Sequence, residues 1–233
     1  MKKTIIILGL SALTFSLGYG FCQWNFSPFR QIETWNKRMQ EQELNIPVQA
    51  FEHEFQDGDL IFQTSLSAQS EAIQLATQST YSHCGLIYKY GQGYLVFEAV
   101  QPVKRTPLGL WIARGQEGKY VVKRLKNAAQ VLAPAALAKM KEIGDQFNGK
   151  NYDLAFEWSD DNIYCSELIW KIYQRATGIE IGQLEQLRDF DLTSKRVKAK
   201  LKARYGDNIP LDEIVISPAA IFDSDLLVTV KAN

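Results

Sequence analysis

Histidine and cysteine are scarce in this chain, and net charge is lacking altogether. Among 233 residues there are two His and three Cys, and 26 Lys and Arg are matched by 26 Asp and Glu. A balanced chain has no overall field to steer it toward nucleic acid or an anionic surface, so any such preference must be local. Cys22, Cys84 and Cys165 are too few, and odd in number, for a disulfide framework, so at least one thiol stays free. Internal repeats and low-complexity tracts are missing as well. With 46% hydrophobic and 22% charged residues, the composition argues against disorder and against a multi-span membrane protein.

The length suits one substantial domain with a core of its own. Ahead of it, Lys2 and Lys3 precede an uncharged apolar run from Thr4 to Gly20, the pattern of an export signal. Gly18 and Gly20 flank Tyr19 as small residues for processing, which would start the mature chain near Phe21. An uncleaved N-terminal anchor is the alternative, because a run of this length stands at the lower edge of what spans a bilayer. Cys22 is a poor lipidation site, since Phe21 stands where a small residue is wanted.

Residues 21–56 read as a lead-in, with Phe29, Ile32, Trp35 and Met39 at amphipathic-helix spacing. The main domain is expected over residues 57–233. Asp57-Gly58-Asp59 signals a turn and Leu60-Ile61-Phe62 a short strand. Ser67 to Gln78 reads as a helix capped by its Ser, with Ala72, Ile73, Leu75 and Ala76 for burial. Two β-rich runs, Ser82 to Tyr90 and Tyr94 to Val100, flank Gly91-Gln92-Gly93 and predict a hairpin. Val103 to Arg105 and Lys119 to Leu125 extend an antiparallel sheet. Helices are predicted from Pro134 to Phe147, from Tyr164 to Ala176 and from Ser194 to Arg204, and late strands near Ile214 to Ile216 and Leu226 to Val230.

Cys165 falls in the first turn of its helix, where unpaired backbone N–H groups favour thiolate. The bland alternative is a small, inert, buried hydrophobe. Of the two histidines, His53 lies in a charged stretch and reads as solvent-facing, which leaves His83 as the base or as a hydrogen-bonded core imidazole. A base needs its second nitrogen held by an acceptor, and Glu98, in an otherwise apolar strand, is the candidate; a solvated strand face would explain it as well. Together the three fit the logic of nucleophile, base and orienter.

The segments Asp57-Gly58-Asp59-Leu60-Ile61-Phe62, Ser82-His83-Cys84-Gly85-Leu86-Ile87-Tyr88 and Phe97-Glu98-Ala99 resemble those of NlpC/P60 cell-wall hydrolases. Here Tyr164-Cys165-Ser166-Glu167-Leu168 follows the strands where that class places its Cys helix before them. This order is similar to the circularly permuted, papain-like YiiX/YebB-like hydrolases, relatives of the lecithin retinol acyltransferase group. The resemblance extends through Thr106-Pro107-Leu108, Trp111 to Gly115, Tyr120 to Leu125 and Ile216-Ser217-Pro218. It implies an α+β permuted papain-like domain in which an antiparallel sheet packs against the nucleophile helix. Cys165 would be the nucleophile, His83 the base and Glu98 the third polar residue, in agreement with the residue-level reading.

No metal or organic cofactor is implied. Backbone N–H groups at the helix start are expected to hold the oxyanion, with Tyr164 and Tyr81 as possible hydroxyl donors. The expected activity is thiol-dependent cleavage of an amide, conceivably in cell-wall peptide, in the periplasm or cell envelope. A lipid ester or acyl transfer is the alternative, and a non-catalytic envelope module that binds peptide or lipid is the rival from another class. Cys84 departs from the pattern, which has an aliphatic residue there. Alternation points it away from His83, and it is expected to be dispensable, although an 84–165 disulfide would silence the nucleophile. The cations from Lys195 to Arg204 form a basic helix that either docks on anionic lipid or is a solvated face.

Overall fold

A computed structural model describes residues 54–67 and 69–233. The signal or anchor at 1–20, nearly all of the lead-in, Cys22 and His53 lie outside the described residues. Among those residues no helix is long and apolar enough to cross a membrane.

The main sheet comprises β1 (Leu60–Gln63), β2 (His83–Tyr90), β3 (Gly93–Glu98), β4 (Lys104–Pro107), β5 (Val121–Leu125) and β8 (Leu227–Ala232), in the order β4-β3-β2-β1-β5-β8. Every neighbouring pair is antiparallel. The hairpin is one residue tighter than predicted: Tyr90 pairs with Gly93, leaving Gly91-Gln92 as the loop, and Gly91 takes the positive φ of 58° that such two-residue loops require.

Strand alternation sorts the core onto two faces. Leu60, Phe62, Cys84, Leu86 and Phe97 share one cluster with the helices, whereas Ile61, Ile87, Val96 and Val122 meet Phe55, Leu108, Trp111 and Tyr120 on the other. Phe55 is fully buried there, so the fold begins ahead of the predicted boundary at residue 57.

The helices are α1 (Ser70–Thr77), α2 (Leu108–Ala113), α3 (Ala128–Val131), α4 (Pro134–Phe147), α5 (Cys165–Thr177), α6 (Lys195–Tyr205) and α7 (Pro218–Phe222). α4 starts on Pro134 as predicted, where a missing N–H costs nothing. α5 is the central helix. Tyr164 precedes it in extended conformation, Glu167 reaches back to the Tyr164 N–H at 3.4 Å, and Gly178 ends it at φ 75°. Every residue from Cys165 to Tyr173 is buried, because the sheet covers one side and other elements the rest. α6 is capped by Ser194, whose hydroxyl accepts from the Val197 N–H at 3.1 Å.

Three expectations change. α1 begins at Ser70, not Ser67, without a side-chain cap, and Leu75 points to solvent. The short helix α3 carried no periodicity long enough to be read. The two late strands part company: β7 (Ile214–Val215) pairs with β6 (Glu185–Gln186) in a separate two-stranded sheet, while β8 adds an edge to the main one.

Candidate active site

The sheet and α5 bring Cys165, His83 and Glu98 together from three separate elements. His83 opens β2, Glu98 closes β3, and Cys165 is the first residue of α5. The register Leu86 to Phe97 sets Glu98 opposite Gly85 rather than opposite His83. Gly85 makes the diagonal reach possible. A Cβ there would meet Val96 Cγ1 at 2.3 Å and Glu98 Cβ at 3.6 Å, so any larger residue would fill the space through which Glu98 crosses to His83.

Glu98 is fully buried and fully partnered. Its Oε2 lies 2.6 Å from His83 Nε2 and accepts from Trp111 Nε1 at 2.9 Å, and its Oε1 accepts from Thr106 Oγ1 at 2.6 Å. Arg114 Nη2 also donates to Oε2. The indole of Trp111 stacks on the imidazole with centroids 5.8 Å apart and planes 24° from parallel. Burial by itself would raise the Glu98 carboxyl, but the hydrogen bond and charge of His83, with Arg114 and Thr106, bring it down to about 2. Burial would likewise lower His83, yet its hydrogen bonds to Cys165 and Glu98, and their charges, raise it to about 9.

Cys165 completes the pair. Its thiol is pushed well down, first by the hydrogen bond from the Cys84 side chain, then, against burial, by the hydrogen bond and charge of His83 and by the Cys84 backbone. With Nε2 committed to Glu98, Nδ1 is the ring nitrogen left for the thiol. Both shifts favour a thiolate and imidazolium pair, with Glu98 behind.

Cys84 has a neighbour that alternation alone does not reveal. It does face away from His83, as alternation requires, but the far face is the one α5 covers, and the Cys84 thiol lies against Cys165. Burial raises Cys84 well above an ordinary thiol and the charge on Cys165 adds to that, so it stays a protonated donor. A residue that points away from the base can still point at the nucleophile.

Cys165 lines a groove with a cavity volume of about 100 Å³, walled by apolar side chains such as Ile73, Leu201, Ile216 and Pro218. Tyr152 stands in the same lining. Its hydroxyl accepts from Gln69 Nε2 at 2.9 Å, Gln69 Oε1 accepts from Arg204 Nη2 at 2.7 Å, and the phenol is pushed well up by burial and by the charge on Cys165. Sequence reasoning passed over Tyr152. Its signal was an aromatic between Asn151 and Asp153 in the loop before α5.

Tyr164 also lines the groove, with its hydroxyl accepting from the Ile216 N–H at 3.0 Å. Tyr81 lies elsewhere, stacked on Phe222 at 4.1 Å and edge-on to Phe62. In the basic helix, Arg196 pairs with Glu71, Lys202 with Asp207 and Arg204 with Gln69, while Lys200 lines the groove. Among the described residues no three His, Cys, Asp or Glu side chains converge on a point where a metal ion could sit.

Comparison with known proteins agrees with this geometry. Residues 54–231 match the family described as "Permuted papain-like amidase enzyme, YaeF/YiiX, C92 family". YiiX of Escherichia coli (strain K12) is 51% identical over 187 residues, which is 80% of this chain and 91% of that protein. A crystal structure described as metalloprotein yiiX from Escherichia coli O157:H7 superposes with a TM-score of 0.73 at 50% identity, covering 77% of this chain and 98% of that one.

Proposed function

Because the chain belongs to the family of permuted papain-like amidases, we propose that it is a cysteine hydrolase that cleaves an amide through an acyl-thioester on Cys165. The observation that carries this reading is the line from Glu98 through His83 to a depressed thiol at the wall of a groove. The Cys165 thiolate adds to the carbonyl carbon. The oxyanion is held by backbone N–H groups at the α5 start and by the Tyr152 hydroxyl, which accepts from Gln69 and keeps its own proton to give. The His83 imidazolium protonates the leaving amine, and the amine departs as the thioester forms. Neutral His83 then takes a proton from water, whose oxygen attacks the thioester, and the acid and the Cys165 thiolate are released. Glu98 holds the imidazole in one orientation and stabilises its charge throughout.

The structural neighbour's description as a metalloprotein finds no donor set among the described residues here, and no step above runs through a metal. The apolar groove favours an apolar group on the acyl side over a polar stem peptide, which supports a second reading, a lipid ester or acyl transfer. In that reading the exposed Lys195 and Lys198 face an anionic bilayer and Lys200 meets the headgroup. The Lys2-Lys3 start supports an exported address in either case.

A panel of peptide amides, N-acyl amides and acyl esters separates these readings. Turnover is expected on at least one class and should nearly vanish in Cys165→Ser. Turnover undiminished in that variant would remove the thiol mechanism. If every class is inert and the Cys165 thiol alkylates like an ordinary thiol at mildly acidic pH, the molecule is a binding module. A reporter fused to residues 1–30 and active only outside the cytoplasm tests the address.

A further inference from the structure

Cys84 performs no step in the reaction above, yet it is fully buried against the reacting sulfur. The two cysteines sit in one buried cluster between β2 and α5, each shifts the ionisation of the other, and neither is in a disulfide. They sit on facing elements, β2 and the first turn of α5. An aliphatic side chain would fill that place without bringing an oxidisable group to the nucleophile. Cys165 lines the groove whereas Cys84 does not, so a small oxidant entering there meets Cys165 first.

We infer that Cys165 and Cys84 form a reversible oxidation site, in which Cys84 resolves the sulfenic acid that hydrogen peroxide makes of Cys165. The Cys165 sulfur attacks one peroxide oxygen: an S–O bond forms, the O–O bond breaks, and the departing hydroxide takes the His83 proton and leaves as water. The Cys84 sulfur then attacks the Cys165 sulfur. An S–S bond forms, the S–O bond breaks, and the second hydroxide leaves as water with the Cys84 proton. Two electrons pass from the thiol pair to the peroxide, which becomes two waters. Disulfide formation requires the two sulfurs to close to about 2 Å. The disulfide silences the nucleophile, but it also keeps Cys165 from the sulfinic acid that thiol reductants cannot reverse. This rests on an ionised Cys165 and on no assumption about substrate.

The test treats the full-length protein with hydrogen peroxide and maps its peptides by mass spectrometry without reduction. A peptide pair joined through Cys84 and Cys165 is expected, and a thiol reductant should return Cys165 to an alkylatable state. In Cys84→Ala and Cys84→Ser the same treatment should carry Cys165 to sulfinic acid. Alkylatable Cys165 recovered after reduction should then be at least about tenfold lower than in the wild type. Sulfinic acid at Cys165 of the wild type at the rate seen in the variants, or a link from either cysteine to Cys22 instead, overturns the inference. Alkylation of untreated protein across pH reports ionisation of Cys165 separately, so failure of the proposed mechanism is told apart from failure of the resolving thiol.

Discussion

Asp59, just ahead of β1, and Glu98, at the end of β3, are carboxylates buried to within 1% in the same sheet, each bound to an arginine. Asp59 is closed off. Arg124 grips it through Nε and Nη2 at 2.7 Å each, and the Gln56 N–H adds a bond at 2.8 Å. None of these partners exchanges a proton near neutral pH. Glu98 instead has among its donors an imidazole, the one side chain that titrates there by default, and beyond it a thiol at a groove. Burial and an arginine mark a carboxylate that is costly to disturb. Glu98 differs in having a titratable partner that leads to a cavity.

The comparison breaks most sharply at the thiol. His83→Ala removes the imidazolium and leaves only Cys84 to oppose burial, so the Cys165 thiol should rise. Iodoacetamide reactivity of Cys165 at about pH 5.5 should fall by about 10²-fold, tenfold for each of about two pH units, with the fold intact by circular dichroism. Reactivity within a few-fold of the wild type would mean that His83 is only a core imidazole.

Arg124→Ala should behave in the opposite way. It strands the Asp59 carboxylate, at a cost of about 3–5 kcal/mol in urea unfolding, while Cys165 of the folded protein alkylates within a few-fold of wild type. If Arg124→Ala instead lowers the reactivity as His83→Ala does, the two carboxylates are not separable and the site extends to β1.

The juxtaposition of Cys165, His83 and Glu98 was legible because each broke a local rule: a thiol at a helix start, a carboxylate in an apolar strand, and one of only two histidines at a strand end. The sheet and the three long helices were legible from periodicity and capping, as with Pro134 and Ser194. What surrounds the triad was not. Thr106, Trp111 and Arg114 reach Glu98 from β4, α2 and the loop behind it, and no spacing in the sequence encodes that convergence. Alternation correctly turned Cys84 from His83, but which element covers a given face is a tertiary fact, and α5 covers that one. β6, two residues long, has no period to read.

Glu98→Gln is the finest test of the contrast, because it keeps the shape and an acceptor while deleting the charge. In the wild type Glu98 is held at about 2, against about 4.3 in an unfolded chain. Its contribution to stability is complete above about pH 4.3 and is lost as pH falls through 2. His83 is raised to about 9. From a free value of about 6.5, its contribution is complete below that pH and lost as pH rises through 9. Removing the carboxylate leaves Cys165 as the sole anion beside the ring, so the His83 titration, followed by NMR of its ring protons, should move down from 9 by about one unit. Because thiol and imidazole titrate as a pair, the acid edge of alkylation should rise by a similar amount, and reactivity on that edge should fall about tenfold, well short of the loss in His83→Ala. Peptide amide or ester turnover, where found, should fall less than in His83→Ala as well. A His83 titration unmoved by Glu98→Gln would place Glu98 beside Asp59, as a carboxylate that holds the sheet together and leaves the imidazole to the thiol alone.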